Sequence, residues 1–147
     1  MTREEEIAQN LVKKCGSLAG KVAIPRDRRI CVEADASDLT DLLEYAYKVM
    51  AFSSLSAITG LDEGERFGVV YHLARPDGIV LNIKISTPRE RPVVQTVTYR
   101  FPGAEIYERE LADLFGVNVE GLPKGTRYPL PDNWPPGQYP LRKDWKP

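Results

Sequence analysis

The chain has 147 residues, which is long enough to bury a core and to fold without disulfides or metal. Its 20 lysines and arginines nearly balance its 21 aspartates and glutamates, so we expect no general attraction to nucleic acid. No stretch is long and apolar enough to span a bilayer, and the acidic start MTREEEIAQN is followed by no signal region, so we expect a cytoplasmic location.

The first predicted element is a helix near the N-terminus. Thr2 and Glu5 have the spacing of a capping box, in which each side chain accepts a hydrogen bond from the other residue's backbone. Ile7, Leu11, Cys15 and Leu18 then recur at helical spacing, with Ala8 and Val12 alongside. The pattern predicts an amphipathic helix that places this face on a core.

The cysteines do not suggest a metal site. Cys15 and Cys31 lie far apart and form no CxxC pair, and the single histidine cannot complete a ligand set of useful size. We therefore interpret both cysteines as small buried apolar residues.

A short strand and a second helix follow. The segment RRICVEA predicts a strand with Ile30 and Val32 on one face, and Ser37 suits the N-cap of the next helix. The apolar stripe of that helix comprises Leu39, Leu42, Leu43, Ala46, Val49 and Met50.

The apolar period then changes from helical to alternating, which predicts strands in LSAITGL, RFGVVYHLA and GIVLNIKIS. The apolar positions of the last two are Phe67, Val69, Tyr71 and Leu73, then Ile79, Leu81, Ile83 and Ile85. The turn RPDG between them predicts an antiparallel hairpin, because Pro76 presets its backbone angle and Gly78 tolerates positive φ. The segment VVQTVTYRF predicts a further extended piece.

The C-terminal region differs in composition from the rest. Seven of the 12 prolines lie from Pro123 onward, together with Trp134 and Trp145. Such a stretch is unsuited to regular helix or a central strand, yet it is too aromatic for a solvated linker. The predicted fold class is thus α+β: a compact domain over residues 1–117, with a small mainly antiparallel sheet and helices packed on one face, followed by an extended proline-rich tail over residues 118–147.

A charged helix precedes the tail in FPGAEIYERELADLFGV. Its apolar face comprises Ala104, Tyr107, Leu111, Leu114 and Phe115. Glu105, Arg109 and Asp113 follow one another at i, i+4 spacing on the opposite face, where each exposed pair contributes about 0.3–0.5 kcal/mol. Gly116 suits a left-handed C-cap.

Glu108 and Glu110 lie on opposite shoulders of the apolar face. Spacing alone favours solvated carboxylates, but a docked helix would desolvate them partly and leave them in need of donors. A small carboxylate-dependent enzyme that uses both residues and Asp113 is one alternative. It is disfavoured because the sequence has no GxGxxG, P-loop or GxSxG motif, and because His72 lies opposite the apolar face of its strand.

The helix and the tail together resemble the 30-kilodalton subunit family of respiratory complex I, which also occurs in membrane-bound group 4 nickel–iron hydrogenases and related energy-converting complexes. The family motif ERE-x-x-D-L/M-F-G is matched by Glu108, Arg109, Glu110, Asp113, Leu114, Phe115 and Gly116. The second family motif is matched by Pro140, Leu141, Arg142, Lys143 and Asp144. The resemblance covers roughly residues 30 to 147.

The resemblance implies a non-catalytic hydrophilic subunit of a membrane-bound, ion-translocating redox complex, of either the NADH–quinone oxidoreductase or the hydrogenase type. No cofactor is then expected on this chain, since iron–sulfur clusters and any nickel–iron centre would belong to partner subunits. The implied partners are the large quinone-site or nickel–iron-type subunit and the iron–sulfur subunits of a peripheral arm. The membrane arm would be reached through the complex, on the cytoplasmic side of the cell membrane.

The resemblance also implies that the motif residues, with Trp134 and Trp145, form a partner interface on which the tail docks. Arg142 suits such an interface, because its guanidinium can bind a carboxylate through two hydrogen bonds. The alternative from the binding class is a free-standing peptide-binding or adaptor domain with an exposed sheet edge.

Overall fold

A computed structural model gives the fold of residues 1–123, 125 and 127–147. Its helices are α1 (Arg3–Lys14), α2 (Leu39–Lys48) and α3 (Glu105–Glu110). Its strands are β1 (Val22–Arg26), β2 (Arg29–Glu33), β3 (Ser54–Asp62), β4 (Arg66–Ala74), β5 (Val80–Pro88), β6 (Val93–Gln95) and β7 (Asn118–Glu120). The predicted α+β class is confirmed. Within the described residues, every helix is too short or too polar to cross a membrane.

Five strands form one sheet in the order β1-β2-β5-β4-β3. β1 pairs with β2 antiparallel, whereas β2 pairs with β5 in parallel, with Arg29 opposite Val80. The neighbours β4 and β5 are joined by the predicted tight turn, in which Gly78 has a φ of 87° and donates its N–H to the Arg75 carbonyl. β6 and β7 form a separate parallel pair.

Residue contacts divide the chain into two compact units. The first unit comprises residues 1–57 and 70–85, and the second comprises residues 58–69 and 86–147. Residues 118–147 therefore belong to the same unit as α3. The division of the chain at residue 117 was predicted from composition. That residues 118–147 form a tail which docks on partners stays a prediction.

Helix α1 begins as its sequence predicts. The Thr2 hydroxyl accepts a hydrogen bond from the Glu5 N–H at 3.1 Å, and the Glu5 carboxylate accepts one from the Thr2 N–H at 2.9 Å. Ile7, Leu11 and Leu18 are buried, the last in a short 3-10 turn that follows the helix. The capping box is confirmed, and so is the burial of Ile7, Leu11 and Leu18. The extension of the helical face through Cys15 and Leu18 is wrong, because the helix ends at Lys14.

Helix α2 departs from its prediction at both ends. A 3-10 turn over Ala36–Asp38 runs directly into the helix, so Asp38 is the N-cap and the assignment of Ser37 is wrong. The helix ends at Lys48, which leaves Val49 beyond it and 66% exposed, so Val49 was wrongly placed on the apolar stripe. The other five stripe residues are buried.

The strands β4 and β5 alternate as predicted, since all eight assigned apolar positions are buried, including Ile79 directly before β5. Cys15 and Cys31 are only half-buried, so the prediction that both are small buried apolar residues is wrong. The reason is that each thiol lies beside a polar group: Ser17 Oγ at 3.0 Å and Asn82 Nδ2 at 3.8 Å respectively. His72 is also half-buried, and its Nδ1 lies 2.7 Å from Asn82 Oδ1.

Candidate functional site

Helix α3 lies in the second unit and has an unusual end. A 3-10 turn over Pro102–Ala104 leads into it, and its last turn continues as a π-helix over Leu111–Phe115. Segments of π-helix are rare and are often found at functional sites. Gly116 closes the helix with a φ of 75° and donates its N–H to the Ala112 carbonyl at 3.1 Å, which confirms the predicted left-handed cap.

Glu108 is the most deeply buried charged residue of this motif, with an exposure of 0%. Its carboxylate accepts hydrogen bonds from the Thr96 hydroxyl at 2.6 Å and from the Val97 N–H at 2.8 Å. Burial raises the pKa of the Glu108 carboxyl, and these two hydrogen bonds offset that effect only in part. The expectation of a solvated Glu108 is wrong, because the carboxylate ties α3 to the segment after β6. Glu110 is half-buried.

Arg109 and Asp113 hold the chain that follows β7. The Arg109 guanidinium pairs with Glu105 at 2.7 Å, as predicted, and also donates to the Pro123 carbonyl at 2.8 Å. Asp113 accepts a hydrogen bond from the Leu130 N–H at 3.2 Å and lies 3.5 Å from the Arg127 guanidinium. The charges on this face of α3 are therefore used within the chain.

Residues near the C-terminus pack on Phe115 and Gly116. The Phe115 ring meets the Phe67 ring edge-on with centroids 6.0 Å apart, and its carbonyl accepts a hydrogen bond from Arg142 Nε at 2.7 Å. A Cβ on Gly116 would lie 2.6 Å from the Tyr139 ring and 2.7 Å from Arg142 Nη2. The position thus needs glycine for both its backbone angle and its close contacts.

Asp62, at the end of β3, is a residue that sequence reasoning missed. Its side chain is 3% exposed, and its carboxylate accepts hydrogen bonds from Arg89 Nη1 at 2.7 Å, the Gly64 N–H at 3.0 Å and the Lys143 N–H at 2.7 Å. Burial works to raise the pKa of this carboxyl, but the hydrogen bonds and the Arg89 charge outweigh it and hold the pKa at about 2. Arg89 also donates to Asp144 at 2.8 Å.

Two guanidinium groups flank one aromatic ring in this unit. Arg89 and Arg142 each lie 5.0 Å from the centroid of the Phe67 ring, and Arg142 lies 4.5 Å from that of Tyr139. Arg142 therefore binds rings and the Phe115 carbonyl here, rather than the carboxylate that its predicted interface role suggests. Cation–π contacts of this kind are stronger where water is partly excluded.

The two tryptophans lie together, with centroids 6.0 Å apart. Trp134 Nε1 donates to the Gln138 carbonyl at 2.8 Å and Trp145 Nε1 to the Gln138 side chain at 3.0 Å, so both indole N–H groups are used within the chain. Leu141 is 52% exposed, Pro140 is half-buried, and Lys143 and Asp144 are exposed. That these residues meet a partner stays a prediction.

The carboxylates named in the enzyme alternative have other contacts in this geometry. Among residues 1–123, 125 and 127–147, no group of three histidine, cysteine, aspartate or glutamate side chains is placed to hold a metal ion. Of the three carboxylates in the enzyme alternative, Glu108 is closed to solvent and Asp113 bonds the backbone of Leu130. The arrangement instead fastens segments of one chain to one another.

Comparison with known proteins gives a consistent result. The family model described as respiratory-chain NADH dehydrogenase, 30 Kd subunit, matches residues 32–147. A subunit of the F(420)H(2) dehydrogenase of Methanosarcina mazei is 30% identical, over 95% of this chain and 90% of its own. The beta subunit of the membrane-bound hydrogenase of Pyrococcus furiosus is 30% identical, over 80% of this chain and 70% of its own. A chain of the membrane-bound sulfane sulfur reductase, an archaeal respiratory membrane complex, superposes with a TM-score of 0.87 at 29% identity, covering 99% of this chain and 86% of that one.

Proposed function

This chain belongs to the respiratory-chain NADH dehydrogenase 30 Kd subunit family, and we propose that it is a non-catalytic hydrophilic subunit of a membrane-bound, ion-translocating redox complex. In that role it braces the large subunit that carries the quinone site or the nickel–iron centre. The iron–sulfur clusters lie on partner subunits of the peripheral arm, and this chain carries no cofactor. The complex places it on the cytoplasmic side of the cell membrane. The family membership confirms the resemblance predicted from the two motifs.

One observation carries the bracing role: relatives named for different reactions share this subunit. Their names specify an F(420)H(2) dehydrogenase, a hydrogenase and a sulfane sulfur reductase. A subunit that supplied the reacting groups would have to change with the reaction, whereas a bracing subunit keeps its fold. The buried Glu108, which bonds Thr96 and Val97 and so ties two segments together, is consistent with such a role.

Exposed apolar side chains support a partner surface on the second unit. Ile106 and Tyr128 are exposed and line one shallow depression of about 380 Å³ together with Arg109 and Arg127. Leu141 is exposed as well. Aromatic residues and arginine are the residue types that interfaces favour, so burying this surface would contribute to assembly.

The test is a pull-down of the tagged chain from mildly solubilised native membranes, with mass spectrometry and metal analysis. Recovery of a large nickel-binding subunit with cluster-bearing proteins would support the hydrogenase branch. Recovery of a quinone-site subunit without nickel would support the NADH dehydrogenase branch. Recovery of the chain alone would overturn the proposal.

A matched pair of variants sharpens the same experiment. Leu141→Asp places a charge on the exposed apolar surface of the second unit, and we expect it to lower recovery of the large subunit at least tenfold. Val49→Asp places the same charge at an exposed apolar residue of the first unit, and recovery should stay within twofold of the unmodified chain. Equal recovery with both variants would show that Leu141 is not part of the interface.

The adaptor alternative has one observation in its favour. β1 is an edge strand of the sheet, and its residues from Ala23 to Arg26 are exposed. An exposed edge can accept an added strand from a peptide. That function predicts partners without redox cofactors in the pull-down.

A further inference from the structure

The segment 139–145, which we call the C-terminal strap, consists of turns and bends over residues 140–144. Its internal backbone bonds run from the Arg142 N–H to the Tyr139 carbonyl and from the Trp145 N–H to the Arg142 carbonyl, both at 3.1 Å. Two such bonds do not hold a segment in place, since isolated turns are marginal in water. The strap's position therefore depends on what it contacts in the rest of the second unit.

Four consecutive strap residues are each bonded to the rest of that unit. The Leu141 N–H donates to the Leu114 carbonyl at 3.0 Å, and Arg142 Nε donates to the Phe115 carbonyl at 2.7 Å. The Lys143 N–H and the Asp144 carboxylate make the next two attachments, to Asp62 at 2.7 Å and to Arg89 at 2.8 Å. A solvated chain end would not show such an unbroken series.

Asp62 is involved in two of these four attachments. One carboxylate oxygen accepts from the Lys143 N–H directly, and the other accepts from Arg89, whose second amino group reaches Asp144. Because the Asp62 side chain is 3% exposed and ends a strand, the acceptor is held rigidly and is shielded from competing water. Among the residues that the structure describes, removing its charge would leave Arg89 with the exposed Asp144 as its ionic partner.

We propose that the C-terminal strap is closed in the free subunit and that Asp62 is the residue that fastens it. A partner then meets a preformed surface and does not have to order a flexible chain, which lowers the entropy lost on binding. Closure is a property of the isolated chain, and only its use by a partner rests on the proposed function. Failure of the closure test would leave the pull-down result unaffected.

The experiment is hydrogen–deuterium exchange of the purified full chain, read by mass spectrometry. In the unmodified chain we expect the amides of residues 141–145 to exchange at least tenfold more slowly than in an unstructured peptide. Asp62→Asn keeps the shape and removes the charge, and it should speed exchange in the strap about tenfold to a hundredfold, in line with the strength of hydrogen bonds to charged groups. Peptides from β5 should not change. Asp132→Asn, at an exposed aspartate outside the strap, serves as the control and should leave all peptides unchanged.

A second variant keeps the test decisive if Asp62→Asn unfolds the chain. Asp144→Asn removes only the outer attachment, at a side chain that is 74% exposed, so it leaves the core intact. We expect it to speed exchange in the strap about twofold to fivefold, as for an exposed ion pair. Unprotected amides at 141–145 in the unmodified chain, or unchanged strap protection in whichever of the two variants folds, would overturn the proposal.

Discussion

The first unit and the second unit use different means to hold their chain in place. In the first, α2 buries four apolar side chains of one helical face, and the stabilisation is spread over many similar contacts. In the second, irregular segments are held by single side chains that bond backbone groups, such as Glu108, Arg109 and Asp62. Removing one such side chain in the second unit frees the backbone segment that it bonds, whereas removing one apolar contact in the first unit leaves its neighbours in place, so the two units should respond differently to substitution.

The largest expected effect is that of Phe115→Ala. The ring is buried against Phe67, and its loss should lower the free energy of unfolding by about 3–5 kcal/mol, as for other buried phenylalanines. Leu43→Ala in the first unit is the matched change and should cost about 2–5 kcal/mol. Urea denaturation measures both. If only Phe115→Ala also speeds hydrogen exchange in the strap, the difference between the two units is supported. If both variants do so, it is contradicted.

Gly116→Ala comes next. The alanine would be strained at a φ of 75°, and its Cβ would lie 2.6 Å from the Tyr139 ring, so we expect a loss of about 2–3 kcal/mol. Gly137→Ala has nearly the same φ, 76°, but open space around it, so strain alone should cost about 1 kcal/mol. Thermal denaturation of the two variants separates strain from contact. Equal losses would show that the strap does not press on Gly116.

Glu108 offers a subtler pair of variants. Glu108→Ala leaves the Val97 N–H buried without its acceptor and should cost about 1–3 kcal/mol. Glu108→Gln can accept from Val97 and donate to Thr96, so it should cost less than about 1 kcal/mol at neutral pH. The exposed Glu105→Ala serves as control at about 0.5 kcal/mol. Similar costs for Ala and Gln at position 108 would contradict a role as backbone acceptor.

The smallest effect is on pH dependence, where two carboxyl groups act with opposite sign. The pKa of Asp62 falls from 3.8 to about 2 on folding, so its stabilisation is complete above pH 3.8 and is lost as the pH falls toward 2. The pKa of Glu108 is raised above 4.5, so its contribution to stability increases as the pH falls from neutrality toward 4.5.

Urea denaturation of the unmodified chain, Asp62→Asn and Glu108→Gln across this pH range tests both signs. The advantage of the unmodified chain over Asp62→Asn should shrink only below pH 3.8. Its stability relative to Glu108→Gln should rise on acidification toward pH 4.5. A parallel pH profile for all three proteins would contradict the two environments described for these carboxyls.

The sequence predicts features whose cause is local. The Thr2–Glu5 capping box, the alternation of β4 and β5 and the left-handed Gly116 all follow from spacing of two to four residues, and all are confirmed. Errors arise where a neighbouring element intervenes. Ser37 is not the N-cap, because it lies within a 3-10 turn that no local sequence pattern predicts.

The contacts of Asp62 and Glu108 in the second unit could not be predicted from local sequence patterns. Asp62 accepts a hydrogen bond from the backbone of Lys143, which lies 81 residues later in the chain. No periodic pattern links two positions so far apart. Glu108 was correctly placed beside the apolar face, but its burial depends on donors at Thr96 and Val97 that only the fold brings near. The family motifs drew attention to α3 and to residues 140–144 without showing what these residues contact.

The parallel pairing of β2 with β5 has a consequence for synthesis of the chain. β2 is made first, yet Arg29 finds its partner only when Val80 has emerged, which at about 5–20 residues per second takes several seconds. During that interval the β1–β2 ribbon has an unpaired edge on which other nascent chains can add. Arg26, Arg28 and Arg29 lie at the turn between β1 and β2. Charged side chains near an edge disfavour pairing with a strand of another chain. We therefore expect these three arginines to disfavour pairing between nascent chains most strongly before β5 has paired with β2.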